Sequence, residues 1–151
     1  MFGPRSCYER NNEKLTTEEH LMSEECCGQE ISESKLTKLT EKQAVAALAQ
    51  LAPGWVILET NGARSLQKSY RQADFASGMQ LLNDIAQVAQ VAHHHPMINL
   101  TFTELRVSWT TYAAGGITQL DLLTAQSCDE LAALRAELRL SARSLEDDLD
   151  D

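Results

Sequence analysis

The chain is 151 residues long, carries a formal net charge of −9 and has a pI near 4.9; that length suits a single core of the usual domain size, about 100 to 150 residues, with some sequence left over. An acidic surface is wrong for tracking phosphates, because nucleic-acid affinity comes largely from Lys and Arg displacing counterions, so no DNA or RNA partner is expected. No run of about 18 apolar residues occurs and the opening MFGPRSCYERNNEK lacks the apolar centre of a secretion signal, so a cytoplasmic protein with no membrane partner is expected.

From Met1 to about Glu33 the composition is Glu, Ser, Asn and Thr, with eight acids against three bases. Such a segment buries too little to offset its ordering entropy, so residues 1–34 are read as an acidic, disordered extension. Cys7, Cys26, Cys27 and Cys128 form no C-x-x-C pair, which argues against a zinc ribbon or a disulfide framework.

A legible pattern begins at Thr40, which with Gln43 three residues on makes a capping box; Val45, Ala46, Leu48 and Leu51 suit a short amphipathic helix ended by Pro53-Gly54. WVILET, the turn signal NGA and, after Arg64, SLQKSYRQ then read as a β-hairpin. Asp74 is a good N-cap for a long helix whose stripe is Phe75, Met79, Leu82, Ile85, Ala86, Ala89 and Ala92. Pro96 forces its neighbour out of helical geometry, and INLTFT with LRVSWTTY, separated around Glu104, reads as a second hairpin.

After Gly115-Gly116, Thr118 caps a last helix carrying Leu122, Leu123, Leu131, Leu134 and Leu138. Trp55, Phe102 and Trp109 fall on apolar phases and are expected in the core. Lys68 and Tyr70 share one strand face, which leaves surface and pocket both open for them. The order α-β-β-α-β-β-α predicts an α+β domain over residues 35–142, a four-stranded antiparallel sheet with helices packed on one face, followed by an acidic tail at 143–151.

Three of the four histidines stand together in QVAHHHPMINLTF. A histidine at a helix C-terminus complements the dipole and needs no chemistry. A metal site is disfavoured, since adjacent helical side chains point about 100° apart and no Asp, Glu or Cys stands close by in sequence. The third reading is proton transfer, for which imidazole is suited near neutral pH.

HHPMINLTF, with Trp109 and Asp121 beyond it, resembles the signature of the pterin-4a-carbinolamine dehydratases, and the similarity runs upstream through LTEKQ, Gly54-Trp55 and KSYRQADF to cover roughly Leu39 to Leu138. The resemblance implies a compact domain that forms homodimers or homotetramers. It also implies a pterin ligand and dehydration of 4a-hydroxytetrahydropterin without a metal or other cofactor. His94 and His95 match the motif's catalytic pair. Tyr112 stands where the family has a third histidine, and Gln90 where it commonly has an acid.

A phenol accepts protons poorly at neutral pH, and an amide cannot hold a neighbouring imidazole charged. Asp121 matches a substrate-binding position, yet as the last residue of T-x-x-D it also suits a helix start, and both roles stay open. Altered site residues and acidic ends together resemble the branch of dehydratase-like proteins that assemble RuBisCO, which implies a RuBisCO client and a carboxysome-associated location. The other reading is an active dehydratase in pterin recycling.

Overall fold

The computed structural model describes residues 36–149, with the side chains of 145–149 outside that description. The acidic extension, and with it Cys7, Cys26 and Cys27, lies outside the described residues. The elements run α1 (Glu41–Leu48), β1 (Val56–Thr60), β2 (Ala63–Arg71), α2 (Phe75–Ala92), β3 (Met97–Leu100), β4 (Glu104–Trp109), a 3-10 turn (Tyr112–Ala114) and α3 (Gln119–Leu149).

The strands form one sheet of order β1-β2-β4-β3, antiparallel at every pairing, so the expected α+β architecture is the one observed. In the first hairpin Asn61 and Gly62 have φ of 54° and 77°, the left-handed pair that a two-residue turn matched to strand twist requires. Thr40 and Gln43 make the reciprocal capping box at α1, and Asp74 caps α2 through the Ser77 N–H at 2.7 Å.

One sheet face carries the core and the other is open. Along β4, Leu105, Val107 and Trp109 point inward to the helices, while Glu104, Arg106 and Ser108 point out; along β2, Leu66 and Tyr70 point inward. Leu81, Ile85 and Ala89 of α2 and Ala125 and Cys128 of α3 close over the inward set. Each large side chain so buried is worth about 1.5–3 kcal/mol. Gly78 lets α2 approach β3, since a Cβ there would lie 2.7 Å from Leu100 Cδ1. Arg135 of α3 donates to both oxygens of Asp84 on α2, at 2.6 and 2.9 Å, clamping the two helices side by side and holding the Asp84 carboxyl below its ordinary range.

Several apolar positions sit differently from their periodicity. Phe102 is 72% exposed rather than in the core, because it falls in the tight 101–103 connection and not in a strand. On α1 the core is met by Ala44, Ala47 and Leu48, with Leu51 following just past its end, which leaves Val45 exposed. On α2 the buried row is Gly78, Leu81, Ile85 and Ala89, so Phe75 and Met79 lie outside it. Leu134 and Leu138 are also exposed, and the α3 backbone stays helical to Leu149, through most of the segment expected as a tail.

α2 ends on His93, whose φ of 48° is left-handed, a conformation that costs a residue with a Cβ about 1–2 kcal/mol. Glycine there loses part of that gain to its freer unfolded chain. His93→Gly is therefore expected to stabilise the fold by about 0.5–1 kcal/mol, read as a higher urea midpoint at unchanged slope; a lower midpoint would show that the imidazole makes a contact worth more than the strain.

Candidate active site

The left-handed turn at His93 decides where the next two side chains go. The His94 N–H still donates to Ala89 O at 3.1 Å, after which the chain extends into β3 and alternates. His94 turns into the protein, 9% exposed, and His95 turns out towards the open sheet face.

His94 stacks on Trp109, ring centroids 5.3 Å apart, and its Nε2 donates to Asp121 Oδ1 at 2.6 Å. Asp121 has no exposed surface. Its Oδ2 accepts the Thr118 N–H and the Thr111 hydroxyl, each at 2.8 Å, and the Thr118 hydroxyl at 3.3 Å. One carboxylate thus ties together the His94 corner, the segment leading to the 3-10 turn and the start of α3. Both its oxygens are occupied, and among the described residues it does not line the cavity of the open face. Of the two roles left open for Asp121, the helix-start contact is present as the bond from the Thr118 N–H.

The open face holds a cavity of about 300 Å³. His95, Tyr112 and Thr110 line one end, Met97 and Ser108 the middle, and Arg106 the other. Ser65, Gln67 and Asn99 supply further hydroxyl and amide groups. Tyr112 sits in the 3-10 turn, 71% exposed, so the position of the expected third proton-transfer group does face the cavity, as a phenol. Gln90 is exposed on the last turn of α2 and is not among the lining residues. The structure therefore bonds His94 to Asp121 and places His95 and Tyr112 in the lining of one cavity.

His94 and Asp121 lie beneath the sheet and fix geometry. His95 and Tyr112 are the two a ligand can reach. Lined by hydroxyls, amides, one imidazole and one guanidinium, the cavity can grip a polar ligand of modest size and exchange a proton with it at His95.

A second, part-buried network centres on Asp129, a residue not singled out from the sequence. Asp129 of α3 accepts Trp55 Nε1 at 2.8 Å on one oxygen, and Tyr70 OH at 2.8 Å with Lys68 Nζ at 2.5 Å on the other. Lys68 and Tyr70 therefore belong to the helix layer, not to the cavity. Burial, and next the bond to Asp129, hold the Tyr70 hydroxyl far above its ordinary range. Cys128 beside it is pushed up to about 12 by burial, which favours the thiol over the thiolate at neutral pH. An acid in the apolar phase of α3, between Cys128 and Ala132, was the available signal for this network. Arg106, Ser108 and Gln67 stood on the polar phase of their strands, where a solvated face and a cavity wall look the same.

Residues 37–131 match the family model described as pterin 4 alpha carbinolamine dehydratase. The chain belongs to that family. A relative in Gloeobacter violaceus, provisionally named pterin-4-alpha-carbinolamine dehydratase 2, is 32% identical over 87 residues, covering 58% of this chain and 94% of its own. The crystal structure described as a transcriptional coactivator/pterin dehydratase from Brucella melitensis superposes with a TM-score of 0.58 at 26% identity, covering 64% of this chain and 99% of that one. A pterin dehydratase-like protein described as a RuBisCO assembly factor in the alpha-carboxysome gives a TM-score of 0.44 at 20% identity over 52% of this chain and 89% of that one, too distant to carry function across. The family-matched segment contains the His94 corner, the cavity and the Asp121 network, and ends well before the C-terminal half of α3. Among the described residues no helix is long and apolar enough to cross a membrane, and no group of three or more His, Cys, Asp or Glu could hold a metal ion.

Proposed function

We propose that this chain is a dehydratase-like protein with a degraded catalytic site whose biological role is protein assembly, with RuBisCO as the client implied by the sequence resemblance. The observation that supports the reading is the division of the histidines. Dehydrating a carbinolamine asks for one group to protonate the departing hydroxyl and another to take a proton elsewhere. Among the described residues the cavity carries a single imidazole, His95; His94 is bound to Asp121 beneath the sheet, and the third position is Tyr112. Under this reading the cavity is inherited and selection acts on the surface.

The test is RuBisCO assembly from unfolded subunits with the purified chain, alongside dehydration of 4a-hydroxytetrahydropterin. His95→Ala is expected to leave the assembly yield unchanged, with dehydration near the uncatalysed rate in both proteins. Loss of assembly in a folded His95→Ala protein would sink the proposal.

The second reading is an active dehydratase, favoured by the exposure of His95 to a cavity rimmed with hydrogen-bonding groups. It requires parent dehydration far above background that disappears in His95→Ala.

A further inference from the structure

We propose that the open-face cavity is an oxyanion site, taking a small ligand that bears a carboxylate or a phosphate group held by Arg106. This goes beyond the assembly reading and does not depend on it.

The argument is one of charge placement. The chain is strongly acidic, yet among the described cavity-lining residues there is no Asp or Glu, while Arg106 and His95 stand at its two ends. The alternation of the strands explains why. Glu59 of β1 shares the helix-side phase with half-buried Ile57, and Asp84, Asp121, Asp129 and Glu130 belong to the helices. On the open face the strands present Arg71, Arg106 and one acid, Glu104. That acid lies one strand step beyond Arg106, outside the cavity, and is itself engaged by Arg106 Nη2 at 2.8 Å and by the Ser69 hydroxyl at 3.1 Å. Arg106 Nε meets Ser69 Oγ at 3.3 Å.

These contacts brace the guanidinium from behind and use part of its donor fork, leaving the remaining N–H groups for the cavity. Ser108 and Gln67, paired across β2 and β4, lie next along the floor with neutral donors, and Tyr112 offers a hydroxyl at the end where His95 stands, while the Thr110 hydroxyl donates to Arg64 O at 2.8 Å. A carboxylate or phosphate on Arg106 would gain charge-assisted bonds, with no acid among the described lining residues and Glu104, outside the lining, competing for the guanidinium. An uncharged ligand of the same shape would forgo them.

The experiment is calorimetric titration of the full chain with pterin-6-carboxylic acid and with uncharged 6-methylpterin, followed by competition with inorganic phosphate and with citrate. The carboxylated pterin is expected to bind about tenfold tighter than the methyl analogue, by an amount that shrinks with added salt. Displacement by phosphate but not citrate would assign a phosphate-bearing ligand, and the reverse a carboxylate. Arg106→Gln should erase the preference at unchanged thermal stability, and Glu104→Gln should enlarge it by removing the competing acid. Equal affinities for the two pterins, a preference that survives Arg106→Gln, or no heat with any anion would overturn the proposal. None of these outcomes reports on RuBisCO assembly, so the two proposals fail separately.

Discussion

Tyr112→His is expected to raise the rate of 4a-hydroxytetrahydropterin dehydration by about 10²-fold over the parent chain, the lower end of what one positioned acid or base contributes. The position already faces the right space, since the Tyr112 side chain lines the open-face cavity together with His95. The backbone asks for nothing special from a phenol there. Tyr112 opens a 3-10 turn whose left-handed φ of 74° is carried by Gly115, and the side chain is exposed, so an imidazole enters without displacing core. What changes is the second proton-transfer partner: with His95 at one side and an imidazole at 112, acid and base can be divided between two groups. The rate should then show a bell-shaped pH dependence that the parent lacks. A folded variant that binds pterin and gains nothing would mean that position 112 is not what limits the chemistry. A parent already far above background would instead establish the enzyme and remove the assembly proposal's main support.

Asp121→Ala is expected to cost about 3–5 kcal/mol of stability, a large share of the roughly 5–15 kcal/mol that holds a domain together. The carboxylate is fully buried and accepts from His94 Nε2, the Thr118 N–H and the hydroxyls of Thr111 and Thr118. Alanine strips the His94 Nε2 and the Thr118 N–H of their acceptor, while the Thr111 and Thr118 hydroxyls keep their 2.9 Å bond to each other; the penalty for unmet buried donors exceeds the net worth of the bonds themselves. Asp121→Asn should cost less, because the amide keeps one acceptor, and it provides a folded protein in which the cavity can be examined. Urea unfolding of the three proteins measures this. A loss below about 1 kcal/mol in the alanine variant would mean that solvent reaches the network readily, against its burial.

Much of the frame was legible along the chain because its signals are local. The capping box at Thr40 and Gln43, the Asn61-Gly62 turn and the Asp74 cap each depend on residues a few positions apart, and each appears where the sequence places it. Phe75, Met79 and Phe102 show the limit of periodicity. An apolar residue at a plausible step is buried only if another element covers it, and for these three none does.

The candidate site divides in the same way. Resemblance to the dehydratase motif picked out His94, His95, Tyr112 and Asp121 as the chemically relevant set, and the T-x-x-D spacing already suggested the bond from Thr118 to Asp121. Sequence could not say that adjacent histidines would serve opposite sides of the sheet. That depends on the left-handed turn at His93, followed by extended alternation into β3, which sends one imidazole to a buried carboxylate 27 positions away and the other to solvent. Nor could it join Asp129 to Trp55, Lys68 and Tyr70, or collect Arg106 and His95 into one cavity. By itself the sequence determined the order of elements, because that follows from short-range sterics and capping, while its resemblance to the dehydratases supplied the family and the candidate residues. The tertiary structure decided which groups share a space, because burial and hydrogen bonding between distant segments exist only once the sheet has paired and the helices have closed over one of its faces.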